Sequence, residues 1–136
     1  MIQRIQTVYL FIVALVSFPT PFLISEWNTV GAEHFLAYNS TLSFGFFHAI
    51  AFLSFVSIFL YKFRKHQMTL IKFVMLLDII LFVLYSYWFM SYPNSQLLSI
   101  QGLGLATPII SIFLLSMAHN AIKNDIELVR SMDRIR

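Results

Sequence analysis

The chain has no cysteine in its 136 residues. That excludes disulfides, thiolate metal centres, thioether-bound haem and dithiol redox chemistry, and with them any four-span disulfide oxidase. Charge is scarce as well. Asp, Glu, Lys and Arg make up 11% of the residues, against about 25% in soluble domains. A chain so poor in charge cannot cover itself with a wetted surface, so lipid must be the solvent for much of it. HExxH, GxSxG and Gly-rich phosphate-loop patterns are also missing from the sequence, which leaves an enzyme reading without a nucleophile, metal or phosphate site. The expectation is a protein that is not an enzyme, with no cofactor and no metal site.

The sequence is rich in apolar residues, at 59% hydrophobic with a mean hydropathy of +0.78. A membrane-spanning helix needs roughly 20 mostly apolar residues. Four segments meet that need, at about 5–24, 42–61, 69–91 and 97–119, followed by a polar tail over 120–136. An outer loop near 25–41, the basic run KFRKHQ and the turn YPNSQ separate them. Val30-Gly31-Ala32 loosely fits a signal-peptide cleavage site, but the first apolar segment is longer than a signal core and is expected to remain as a span.

Orientation follows from Lys and Arg. Arg4, Lys62, Arg64, Lys65, Lys72, Lys123, Arg130, Arg134 and Arg136 are all nine of the basic residues, and all fall on one side of the four spans. The positive-inside bias puts that side, with both termini, in the cytoplasm. Trp27, Tyr87, Trp88 and Tyr92 fall at the other interface. A net charge of +3 and a pI near 9.4 would suit nucleic acid, but topology alone accounts for the basic residues, so no nucleic-acid partner is expected.

Asp78 stands inside LLDIILFV, about nine residues into the third span. At 1.5 Å per residue that is roughly 13 Å deep, near the middle of a core about 30 Å thick. Its insertion costs about 2.5–3.5 kcal/mol, while the 13 Leu, Ile, Val and Phe residues between Leu70 and Phe89 return roughly 4–8 kcal/mol. The span inserts, and Asp78 should face the bundle. His48 is within about 6 Å of the same depth, so His48 and Asp78 form a candidate intramembrane polar site. Ser54, Ser57, Ser111 and Ser116 are the other candidate partners. The alternative is a polar clamp between helices, worth about 0.6–2 kcal/mol.

Pro19 and Pro21 should kink or unwind the first span near its outer end, and GLGLATP, 102–108, should bend the fourth. Neither breaker is beside an acidic residue in the sequence. Gly45 and Ala49 give the second span a small-xxx-small step, where helix backbones can approach. The tail carries apolar residues at three- and four-residue steps, Ile122, Ile126 and Val129, with four basic and three acidic residues from Lys123 onward. This pattern predicts an amphipathic helix with Glu127–Arg130 and Asp133–Arg136 pairs. Its mixed charge suits docking on the chain's own inner loops or on another protein better than gripping anionic lipid; the alternative is a solvated continuation of the fourth span.

The opening MIQRIQTVYL and the close AIKNDIELVRSMDRIR resemble a bacterial family of small four-span integral membrane proteins classed as a domain of unknown function. The resemblance rests on Met1-Ile2-Gln3-Arg4-Ile5-Gln6, on Asp125, on Leu128-Val129-Arg130-Ser131 and on Asp133-Arg134. It departs at Ile126 and Met132, which make the tail more apolar. It implies a multi-pass protein of the bacterial inner membrane, and neither a reaction nor a ligand.

The fold expected is therefore all-α: four antiparallel transmembrane helices and a cytoplasmic C-terminal amphipathic helix. The distinctive residues lie at the two cytoplasmic ends, Gln3, Arg4 and Gln6 with Asp125, Arg130, Asp133 and Arg134. They suggest a docking surface for other membrane subunits or a second copy, and hence an accessory or scaffold subunit of a membrane complex. The alternative expectation is a small proton- or ion-coupled transporter that uses Asp78.

Overall fold

The computed structural model describes the backbone of residues 2–22, 33–91 and 98–134, and the side chains of residues 5–22, 41–87, 90 and 104–132. The described backbone is helical, without a strand. We number the helices α1 (Ile2–Ser17), α2 (Glu33–Phe59), α3 (Arg64–Ser91) and α4 (Leu98–Arg134), with a single 3-10 turn at Leu60–Lys62 between α2 and α3. Four stretches are long and apolar enough to cross a membrane: Ile5–Phe22, Thr41–Lys62, Arg64–Tyr87 and Gly104–Met132. Each overlaps one of the four expected segments. Of the outer loop expected near 25–41, residues 33–41 are instead the first turns of α2, and the rest, like the YPNSQ turn, lies outside the described residues.

Two further boundaries differ from expectation. The basic run is not a loop. Phe63 alone links α2 to α3, with its N–H donating to the Leu60 carbonyl at 2.9 Å and its carbonyl accepting the Gln67 N–H at 3.0 Å. Nor is the tail a separate helix. α4 continues unbroken for 37 residues, because nothing between Ile109 and Arg134 is Gly or Pro. At 1.5 Å per residue it is about 55 Å long, well beyond the roughly 30 Å of a hydrocarbon core.

Each helix packs against its neighbours in sequence, and α4 closes the ring onto α1. The apolar stripe at three- and four-residue steps turns inward from each helix. Leu10 and Val13 meet Phe47, Ile50, Ile71 and Val74, with Leu115, Ala118 and Ile122 completing the layers, all buried. The large apolar residues on the opposite faces, such as Phe52, Phe73, Val83 and Phe113, are more than half exposed, as lipid contact requires.

Glycine serves the packing at Gly104, not at Gly45. A Cβ on Gly45 would meet nothing within 4 Å, so no helix exploits the small step on α2. At Gly104 the ring of Tyr85 lies where a Cβ would be. The tight approach in this bundle is α4 against a ring on α3.

Candidate functional site

The site is built where the end of α1 meets the proline of α4. Pro19 and Pro21 lack the N–H groups that would continue α1, and the helix ends at Ser17. The chain recovers through a tight turn, with the Phe22 N–H donating to the Pro19 carbonyl at 3.1 Å. The Thr20 hydroxyl donates to the Val16 carbonyl at 2.6 Å and covers the open end of the helix. On α4, Pro108 stays within the helix but removes the hydrogen bond to the Gly104 carbonyl. The antiparallel pairing of α1 and α4 brings the end of α1 and Pro108 to one level, where Thr20 Oγ1 and Thr107 Oγ1 are 3.5 Å apart.

Asp78 is one turn further in. It is 1% exposed, and its Oδ2 accepts a hydrogen bond of 2.6 Å from Ser111 Oγ. The breakers that are distant from any acid in the sequence are thus adjacent to one in space. Ser17, on α1 at the level of Ser111, is 1% exposed, and its hydroxyl has no hydrogen-bond partner. On the far side of the bundle, Tyr85 is hydrogen-bonded to Ser43. Hydroxyls therefore gather around and above Asp78, while apolar side chains lie below it.

Of the two residues of the expected polar site, only Asp78 faces the interior. His48 is on the outer surface of the α1–α2 pair. Its Nδ1 is 2.9 Å from the Phe44 carbonyl, and its ring stacks on Phe44 at 4.1 Å, with the edges of Phe18 and Phe22 at 5.3 and 5.6 Å. The similar depth of His48 and Asp78 does not join them, because rotation about α2 sends the imidazole outward. Of the other candidates only Ser111 meets Asp78. Ser54 and Ser57 are buried a turn or more away with unpaired hydroxyls, and Ser116 donates to its own helix at Phe113.

A second polar layer lies near the basic end. Gln67 Nε2 donates to the Ser57 carbonyl at 3.1 Å. Arg64 and Asp125 pair at 3.1 Å, with side-chain exposures of 29% and 15%. Asp125 therefore holds α4 to the start of α3 within the chain. Gln6 is 5% exposed, which removes it from any outward docking surface. It faces inward because it continues the buried stripe of Leu10 and Val13. Glu127 pairs with Lys123 at 3.9 Å and not with Arg130, which is exposed. Gln3 and Arg4 are in the first turn of α1 and Asp133 and Arg134 in the last of α4, but their side chains are outside the described residues, as is Arg136. Among the described residues no group of three or more metal-ligating side chains occurs.

Fold and site together define a small bundle of four membrane-spanning-type helices with one acid sealed in its middle. The chain belongs to the family described as Domain of unknown function (DUF4293), whose model matches residues 2–135. No curated protein and no solved structure matches it significantly.

Proposed function

We propose that this protein is a non-enzymatic accessory subunit of an assembly in the bacterial inner membrane. Both termini would be cytoplasmic, and the end of α4 would be the docking element. The carrying observation is how α4 leaves the bundle. Ile122 is fully buried and Ile126 packs against the core, after which Glu127 to Met132 are all exposed. Leu128, Val129 and Met132 are 49%, 39% and 64% exposed. The last turns thus offer apolar side chains interleaved with Arg130, anchored to the bundle by the Arg64–Asp125 pair. An apolar patch flanked by charge is what a protein partner recognises. The test is tagged purification in mild detergent. Arg130→Ala with Asp133→Ala should release a stoichiometric membrane-protein partner while leaving the bundle folded, and unchanged co-purification would refute the reading.

A second reading is favoured by Asp78. A buried carboxyl beside the end of one helix and a proline-freed carbonyl of another resembles the sites where carriers hold a proton or ion. In that case Asp78→Asn abolishes pH-dependent flux in proteoliposomes, and intact flux in that variant eliminates the idea.

A further inference from the structure

We propose that Asp78 exchanges protons with only one side of the bundle, the Tyr85 end, through a file of hydroxyls along the α1–α4 seam. The inference depends on how the buried layers are ordered, and holds whether or not the chain carries a solute. Thr20, beyond the end of α1, and Thr107, beside Pro108 of α4, face each other. One turn further in are the unpaired Ser17 hydroxyl and Ser111, which donates to Asp78. From Gly104 to Ser111 the file spans seven residues, about 10 Å. Pro108 adds the Gly104 carbonyl, deprived of its helical N–H, to the same stretch. Buried hydroxyls and freed carbonyls are the groups that hold water in a protein interior.

The opposite direction is closed. The next layer is Val13, Ile50, Val74 and Leu115, each 0–1% exposed. Leu10, Ile71 and Ala118 follow, at a level that also holds the Ser54 hydroxyl and His119 Nε2, both buried without a partner, so the dry barrier is the Val13–Leu115 layer. Gln67 is 11 residues from Asp78 along α3, about 16 Å, and the inward residues of α3 between them, Ile71 and Val74, offer water no hydrogen bond. An apolar constriction of this kind excludes water and the protons it carries.

Ser111 contacts Asp78, and the buried polar residues from there toward Gly104 are neutral: Ser17 and Thr20 on α1, Ser43 on α2, Tyr85 on α3 and Thr107 on α4. The described ion pair Arg64–Asp125 lies beyond the apolar layers. His119 is eight residues past Ser111 on the closed side. The exchange is a simple transfer. The protonated carboxyl gives its proton to a water molecule, and the resulting carboxylate keeps the Ser111 hydrogen bond.

Because the natural chain lacks cysteine, single-cysteine variants can be made directly. In sealed proteoliposomes of each orientation, a membrane-impermeant cationic thiosulfonate is applied to one side at a time. Lys65→Cys marks the basic end. Thr107→Cys, Ser17→Cys and Ser111→Cys should label only from the Tyr85 end, at least tenfold faster than Val13→Cys or Leu115→Cys. Labelling of Ser111→Cys from the Lys65 side overturns the proposal, and so does silence of all three file positions. Ser17→Cys and Thr107→Cys serve if Ser111→Cys fails to fold. As a second readout, the carboxyl infrared band lost in Asp78→Asn should respond to a pH jump on the Tyr85 side alone. A response to the other side, or to neither, refutes the exchange.

Discussion

Replacing Gly104 with alanine puts a methyl group where Tyr85 already is. A Cβ at that position falls 2.6 Å from Cδ1 of the ring and 3.2 Å from Cζ, with Cε1 closer still. Ordinary carbon contacts are about 3.5–4.0 Å, so the ring must move by roughly 1 Å. It has little room. Tyr85 is 6% exposed, Phe47 flanks it at a centroid distance of 6.0 Å, and Ser43 holds its hydroxyl. Overpacking of this kind costs about 1–3 kcal/mol, and losing the Ser43 hydrogen bond adds about 0.5–1.5 kcal/mol. The better helix propensity of alanine offsets up to about 1 kcal/mol. The net destabilisation is about 1–3 kcal/mol. Thermal unfolding in mild detergent should show it as a fall in Tm of roughly 5–10 °C. In a chain that already carries Tyr85→Ala, most of the effect of Gly104→Ala should disappear, the coupling expected of residues in contact. A Gly104→Ala protein that melts at or above the wild-type temperature, or equal effects of the change with and without the Tyr85 ring, would refute this account of the α3–α4 contact.

Three other outcomes follow from the same geometry. Gly45→Ala, with no atom in its way, should be neutral or stabilising by up to about 1 kcal/mol, measured as an unchanged or raised Tm. Ser111→Ala leaves Asp78 Oδ2 without its donor and should cost about 1–3 kcal/mol. Ser111→Thr, which keeps a hydroxyl, should cost less by the same melting assay. The Arg64–Asp125 pair, only partly buried, should give a coupling of about 1 kcal/mol or less in a double-mutant cycle that shrinks as salt is raised. A salt-independent coupling counts against a direct ion pair.

The spans were legible in the sequence because twenty apolar residues in a row admit few other readings. The depth of Asp78 followed from counting along one helix. Rotation did not. Apolar residues surround α2 on all sides, so hydropathy does not say that His48 faces out while Ser54 and Ser57 face in. The breakers were visible one by one at Pro19, Pro21 and Pro108, but their meeting depends on α1 and α4 being neighbours, a relation between residues 87 positions apart. Ser17, Thr20, Thr107 and Tyr85 were passed over because a lone hydroxyl in an apolar span has no periodic signature. What links them is the antiparallel register: once Thr20 is set against Thr107, Ser17 falls level with Ser111. The change in composition near residue 120 suits either a separate amphipathic helix or a continuation of the fourth span, and without Gly or Pro nothing interrupts the backbone hydrogen bonds, so the continuation prevails.

The uninterrupted run of α4 has a mechanical consequence. From Ser111, in contact with Asp78, to exposed Arg130 there are 19 residues and no breaker, a stiff rod of about 28 Å. It is fixed along that length by Leu115, Ala118 and Ile122 in the core and by the Arg64–Asp125 pair. Leu128 and Met132 therefore ride on a rigid mount continuous with the membrane bundle, and whatever docks on them is held at a set height and angle rather than at the end of a loose tether.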